Sequence, residues 1–135
     1  MLLRENAKDI GLLILRVPAM ALFLIHGWPK LMRMPAIFSS FADPIGLGVG
    51  PTAAIAIVVE TVCALLVVVG LFTRWAAVPI VTFLLVAGLI HHAADSVQKK
   101  EFALIYAVPF LVLIFTGGGK YALDAVLQAR RAKDR

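Results

Sequence analysis

The chain has 135 residues, of which 61% are hydrophobic and only 16% are charged, and its mean hydropathy is +0.95. A soluble domain averages about 45–50% apolar and about 25% charged residues, so the composition excludes an ordinary soluble globule and a disordered chain. At about 20 residues for each membrane-spanning helix, we expect four spans and no catalytic domain outside the membrane.

The formal net charge is +5, from 13 Lys and Arg against 8 Asp and Glu. The basic residues flank the apolar runs, as in membrane proteins, and no basic stripe with interleaved aromatic residues indicates nucleic-acid binding. The single cysteine, Cys63, lies inside an apolar run. One thiol forms no internal disulfide or Cys-X-X-Cys relay, so self-contained dithiol redox chemistry is excluded. We interpret Cys63 as a small buried hydrophobic residue.

Four apolar runs follow one another along the chain, and each predicts a membrane-spanning helix. Each run is long enough, or nearly so, to cross about 30 Å of hydrocarbon. None shows the apolar–polar alternation of a strand, and an open sheet edge cannot face lipid. The predicted fold is therefore an all-α membrane protein, a bundle of four transmembrane helices with short interfacial segments. The predicted spans are residues 10–28, 52–72, 75–94 and 102–116.

The connections between the runs carry further signals. Gly70 and the short turn after it predict that the second and third spans are antiparallel neighbours. Apolar residues recur at helical spacing within 34–41, which fits a short helix in the membrane interface or a loop with apolar contacts. The basic tail, residues 120–135, predicts a surface helix attracted to anionic lipid or a frayed tail. The termini and the Arg74 turn hold more Lys and Arg than the other connections, which places both termini in the cytoplasm.

The polar side chains within the apolar runs are the candidate functional residues. A charge near the bilayer centre costs about 2.5–3.5 kcal/mol on insertion scales, and such residues face the bundle interior and find partners. The rise of about 1.5 Å per helical residue places the acid between the guanidinium and the imidazoles in depth. The candidates are Arg16, His26, Glu60, His91, His92 and Tyr106, with Lys30 and Glu101 at the outer boundary of the spans.

These depths lead to two expectations. Arg16 is expected to pair with Glu60, which would offset much of the cost of burying each charge. His26, Glu60, His91 and Tyr106 are expected to form one polar pocket. His91 and His92 point about 100° apart on a helix, so we expect only one of them to face the bundle centre.

Several roles remain open for this cluster. Its hydrogen bonds can simply hold the helices together. It can also bind a quinone or quinol, because histidine handles protons near neutral pH and an intramembrane carboxylate can relay them. A b-type haem between His26 and His91, and a metal site adding Glu60 to that pair, are further alternatives, but we expect neither haem nor metal. An unassigned solute path is the last alternative.

Three motifs together resemble the DoxX family of small four-span membrane proteins. They are His-Gly-x-x-Lys at 26–30, Gly-Leu-x-Thr-Arg at 70–74 and Gly-x-Gly-x-Tyr-x-Leu-Asp at 117–124. The resemblance covers residues 12–124, although this chain has Gly118 and Ala122 where the family often has proline and serine. It implies a helical subunit linked to quinone-dependent redox systems, including thiosulfate or terminal quinol oxidase complexes.

The leading hypothesis is an inner-membrane subunit that binds quinone or quinol among His26, Glu60, His91 and Tyr106, with Arg16 fixing the charge of Glu60. The chain carries no redox centre of its own, so electrons come from a partner or a bound cofactor. We expect a protein partner in a membrane redox complex, and a homo-oligomer stays open. Whether the chain is part of an enzyme is left undecided, and the alternatives are a non-catalytic assembly subunit and a small-solute or proton pathway.

Overall fold

The computed structural model describes residues 2–134, which are helical apart from short connections and contain no strand. The all-α prediction is therefore confirmed for this part of the chain. The helices are α1 Leu2–Met32, α2 Met34–Ser40, α3 Val49–Val69, α4 Thr73–His91, α5 Val97–Thr116 and α6 Leu123–Lys133. Two of these helices contain a π-helical turn, one inside α3 at Val59–Cys63 and one at the end of α4 at Ala87–His91.

Three helices of the described chain are long and apolar enough to cross a membrane: Asn6–Met32 of α1, and the whole of α3 and α4. The predicted fourth span, 102–116, lies inside α5. The first turns of α5 carry Lys99, Lys100 and Glu101, and the uncharged remainder is shorter than the roughly 20 residues of a typical span. The fourth span therefore stays a prediction, although α5 packs along α4 as a member of the same bundle.

The bundle core is apolar and is built by α1, α3, α4 and α5. At its centre the rings of Phe23 and Phe110 lie 5.8 Å apart and tilted, an arrangement that aromatic pairs favour. The outer faces are apolar too, since Trp75 is 78% exposed and Phe115 is 73% exposed. Helices that are hydrophobic all round suit lipid rather than water. The most deeply buried apolar side chains include Met20, Val67, Ile80 and Leu113.

The turn between α3 and α4 is fixed by glycine, as predicted. Gly70 has φ of +78° and ends α3, donating its N–H to the carbonyl of Leu66 at 2.9 Å. A left-handed backbone favours glycine. A side chain here would also collide with the guanidinium of Arg16 and with Ala122.

Residues 117–124, which we name the closing turn, fold back over this end of the bundle. The carboxylate of Asp124 accepts the backbone N–H groups of Phe72 at 2.9 Å and Thr73 at 3.0 Å. Its own N–H donates to the carbonyl of Gly70 at 2.9 Å. Asp124 therefore supplies the cap that the first backbone N–H groups of α4 need, and its charge suits the positive end of the helix dipole.

We expect an Asp124→Ala variant to lose about 1–2 kcal/mol of unfolding free energy, because a lost cap leaves helical N–H groups without an acceptor. Thermal unfolding in detergent micelles, followed by circular dichroism, measures the loss. Asp134→Ala is the matched control, since among residues 2–134 no hydrogen bond uses the Asp134 side chain. Equal melting temperatures for the two variants would contradict the capping role.

The two short amphipathic segments are both helical. The segment 34–41 forms α2 over Met34–Ser40, while its position in the membrane interface stays a prediction. The tail forms α6 through Lys133, so the frayed-tail alternative is wrong for this stretch. The apolar side chains of Leu123 and Val126 on α6 remain exposed.

Candidate functional site

A cavity of about 1040 Å³ lies between the end of α1, the α2–α3 loop, α3, the second half of α4 and the start of α5. Its walls are mainly apolar. Of the predicted site residues, the structure brings His26, Glu60, His91 and Tyr106 to this one cavity and leaves Arg16 outside it.

The acid in this cavity is paired with a lysine. Lys30 Nζ donates to Glu60 Oε2 at 2.5 Å, which joins α1 to α3. Glu60 is 4% exposed, and the Lys30 side chain is 26% exposed. The Lys30 ammonium also lies 5.6 Å from the centre of the Phe41 ring, a cation–π distance. The predicted Arg16–Glu60 pair is therefore wrong.

The physical reason is the close approach of α1 and α3 at Gly27. A Cβ added at Gly27 would lie 2.5 Å from the carbonyl oxygen of Glu60 and 2.7 Å from its Cβ. Lys30 follows three residues later and shares the same helical face, so its side chain reaches the carboxylate. The sequence does indicate that Lys30 lies close to α3, because the helical period places Gly27 and Lys30 on one face of α1.

Arg16 belongs to the opposite end of the bundle. Its side chain is 2% exposed, and Nη2 donates to the backbone carbonyl of Tyr121 at 3.2 Å. Nε and Nη1 have no hydrogen-bond partner among the described residues. A Cβ added at Gly118 would lie 2.9 Å from Nη1. Arg16 is thus enclosed by the closing turn.

Glu60 and His91 both lie in π-helical turns, which sequence reasoning missed. Glu60 is the second residue of Val59–Cys63, and His91 is the last residue of Ala87–His91. A π-helical turn adds a residue to a helix and often occurs at functional sites. Apolar periodicity gives no local signal for it, because the neighbouring residues are uniformly hydrophobic.

Both neighbouring histidines line the cavity, and His91 is exposed, so the expectation that only one of them faces the bundle centre stays a prediction. The helix ends at His91, and His92 has φ of −92° and ψ of 19°, so the 100° spacing no longer applies. The two rings lie 4.5 Å apart, edge to face. His92 Nδ1 lies 2.6 Å from Asp95 Oδ2, and this hydrogen bond, with the charge of Lys99, lowers the pKa of Asp95.

Asp43, which sequence reasoning also missed, organises the loop that covers one side of the cavity. Its carboxylate accepts the N–H groups of Leu47 at 3.0 Å and Gly48 at 2.7 Å, and the Thr52 hydroxyl at 2.8 Å. Pro44, which follows Asp43, and Leu47 line the cavity. Aspartate commonly accepts N–H groups of residues that follow it in a turn. The loop therefore has a defined conformation over the site.

Acid should weaken this loop. The hydroxyl of Thr52 first, and then the backbone N–H groups, lower the pKa of Asp43. A lowered folded-state pKa stabilises the fold above the unfolded-state pKa of about 3.9, and the contribution is lost as the pH falls through the folded-state pKa. We expect the difference in melting temperature between the wild type and Asp43→Asn to shrink below about pH 4. A difference that stays constant into acid would contradict the role of the charge.

The cavity offers hydrogen-bonding groups rather than a cluster of metal ligands. Within residues 2–134, no group of three or more His, Cys, Asp or Glu side chains is placed to hold a metal ion. The imidazoles, the Lys30 ammonium and the Tyr106 hydroxyl can each donate a hydrogen bond. Such an arrangement can orient an apolar molecule that carries polar acceptor atoms.

The apolar helices and their apolar outer faces define a small helical membrane protein. Inside it, an ion pair joins α1 to α3. The family model for DoxX matches residues 11–93, so the chain belongs to the DoxX family, as its motifs indicate.

Curated relatives cover nearly the whole chain. An uncharacterized protein of Haemophilus influenzae is 31% identical over 127 residues, which cover 89% of this chain and 92% of the relative. The inner membrane protein YphA of Escherichia coli is 33% identical, over 87% of this chain and 91% of YphA. The inner membrane protein YqjF of Escherichia coli is 27% identical, over 93% and 98%. No solved structure matches the chain.

Proposed function

We propose that the chain binds a quinone or quinol in the cavity, as a membrane subunit of a quinone-linked oxidoreductase system. The observation that carries this proposal is a largely apolar cavity of about 1040 Å³ that gathers His26, Glu60, His91 and Tyr106. Small-molecule sites are typically concave and mainly apolar, with a few polar groups that fix orientation. A quinone has a flat apolar ring with two carbonyl acceptors, so it matches both properties.

The polar groups of the cavity come from three helices. His26 and Lys30 come from α1, whereas His91 and Tyr106 come from α4 and α5. Donors on separate helices suit a ring that carries two carbonyl groups. Imidazoles exchange protons near neutral pH, as reduction and oxidation of a quinone require. The electrons come from a protein partner or a further cofactor.

The membrane arrangement is part of the same proposal. α5 serves as the fourth span, since residues 102–116 are uncharged and α5 packs along α4. The excess of Lys and Arg at the termini and in the Arg74 turn favours an arrangement with both termini in the cytoplasm. The names of YphA and YqjF support placement in a bacterial inner membrane.

Short-chain quinone binding to the purified protein tests the proposal. We expect Tyr106→Phe, which removes one hydroxyl from the cavity, to weaken binding by about two- to tenfold, the value of one hydrogen bond. Tyr121→Phe is the matched control, because it removes the same group outside the cavity. Analysis of lipids co-extracted with the wild type adds a second measurement. Absence of quinone in the extract, together with equal binding by both variants, would refute the proposal.

The buried Lys30–Glu60 ion pair favours a second candidate, a non-catalytic assembly subunit whose polar residues only join helices. This candidate predicts that Glu60→Gln lowers the yield of an assembled complex without changing the turnover of what assembles. The quinone proposal predicts lower turnover at equal assembly. A small-solute or proton pathway is distinguished from both by flux through proteoliposomes.

A further inference from the structure

We propose that a groove along α6 binds the phosphate-bearing headgroup of an anionic phospholipid. The groove has a volume of about 370 Å³ and lies between one face of α6 and Lys120 of the closing turn. Its lining includes the cationic side chains of Lys120, Arg130 and Lys133 and no acidic side chain. Arg and Lys recognise phosphate oxygens through charge-assisted hydrogen bonds. A concave surface of this composition therefore suits an anionic group.

The cationic side chains of this groove form no ion pair with the acidic side chains that the structure describes. None of the ion pairs formed among the described side chains involves Lys120, Arg130 or Lys133. The Lys120 ammonium donates to the side-chain oxygen of Asn6 and lies 5.2 Å from the centre of the Tyr121 ring. Neither partner of the ammonium is an anion, although the backbone N–H of Lys120 donates to the carboxylate of Asp9 at 2.9 Å. Among the described side chains, the cations of the groove are therefore available to a ligand from outside the protein.

The position of α6 favours a lipid over free phosphate. Asp124 anchors the start of α6 to the turn between α3 and α4, so the groove lies beside the end of the apolar helices. Val126 lines the groove and is 43% exposed, and Leu127 next to it is 38% exposed. Apolar side chains beside cations suit the acyl and glycerol portion of a lipid, and anionic membrane surfaces attract basic segments. Free phosphate would make no use of this apolar surface.

Native mass spectrometry of the detergent-solubilised protein tests the site. Phosphatidylglycerol and phosphatidylcholine with the same acyl chains serve as the probes, each titrated against the wild type, Arg130→Gln and Arg131→Gln. We expect the wild type to retain phosphatidylglycerol in preference to phosphatidylcholine. Arg130→Gln is expected to weaken phosphatidylglycerol binding about fivefold. Arg131→Gln removes the same charge from the next residue, which does not line the groove, and is expected to bind as the wild type does.

Lys133→Gln provides a second, independent variant, for which we expect a loss similar to that of Arg130→Gln. These side chains are exposed, so the fold is expected to be retained, and equal helix content by circular dichroism verifies it. Equal losses in Arg130→Gln and Arg131→Gln would overturn the proposal in favour of diffuse attraction. Equal retention of both lipids would overturn it too. If inorganic phosphate at the same concentration as phosphatidylglycerol displaced the lipid completely, the groove would be a site for free anions instead.

Discussion

A Lys30→Met variant is expected to lose about 3 kcal/mol of unfolding free energy, the lower end of the cost of removing one partner from a buried ion pair. Glu60 is 4% exposed, so the substitution leaves a carboxylate in an apolar bundle without its cation. Because Lys30 is partly exposed, we expect a loss of unfolding free energy at the lower end of that range. Reversible unfolding in mixed micelles measures it.

Two further variants sharpen this test. The double variant Lys30→Met with Glu60→Gln removes both charges, and we expect it to recover much of the lost stability. Lys99→Met is the matched control, because Lys99 also lines the cavity but is 64% exposed and lies 3.6 Å from Asp95. An exposed pair contributes at most about 1 kcal/mol. Equal stability of Lys30→Met and Lys99→Met would show that the buried pair does not stabilise the bundle.

The double variant also separates the two candidate functions. If it folds like the wild type and has lost quinone binding, the ion pair contributes to ligand binding as well as to the fold. If it folds and binds quinone normally, Lys30 and Glu60 only join α1 to α3. The two outcomes can be distinguished because stability and ligand affinity are measured on the same folded sample.

The second large effect is expected at Gly27, where the backbones of α1 and α3 approach closely. A methyl group there would lie 2.5 Å from the Glu60 carbonyl oxygen, so Gly27→Ala must push the two backbones apart. Overpacking of this kind costs about 1–3 kcal/mol. The shift also moves Lys30 away from Glu60, so loss of stability and loss of any ligand binding in the cavity are expected together. Thermal unfolding and the quinone titration measure both.

Gly11→Ala is the control for this substitution, because it lies in the same helix and a Cβ added there meets nothing within 4 Å. Alanine favours the helix by about 1 kcal/mol over glycine, so Gly11→Ala should be at least as stable as the wild type. A Gly27→Ala variant as stable as Gly11→Ala would contradict the close approach of α1 and α3.

Local properties of the sequence predicted much of the helical layout. The predicted second span, 52–72, corresponds to α3 at Val49–Val69, because Gly70 ends the helix by adopting a left-handed backbone. The predicted first span, 10–28, lies inside α1, which continues through Pro29 to Met32. A proline removes one N–H but does not by itself end a membrane helix, since the freed carbonyl can be satisfied locally.

The sequence predicted which residues lie at the cavity better than it predicted which charged side chains pair. Helical depth predicted one pocket formed by His26, Glu60, His91 and Tyr106, and all four line one cavity. The π-helical turns and the loop held by Asp43 were not predicted. The π-helical turns depend on packing between helices, and the loop depends on the hydrogen bonds of Asp43. Hydropathy encodes neither.

The residues alone determined that this is a helical membrane protein of the DoxX family with charged groups facing its interior. Composition and helical period indicate the helical membrane fold, because lipid forces each segment to satisfy its own backbone, while the motifs at 26–30, 70–74 and 117–124 carry the resemblance to the family. Only the tertiary structure decided that Glu60 pairs with Lys30 while Arg16 donates to Tyr121, 105 residues away. Which charges meet depends on how closely two helices approach and on where the closing turn returns, and both are set by packing between segments distant in the chain.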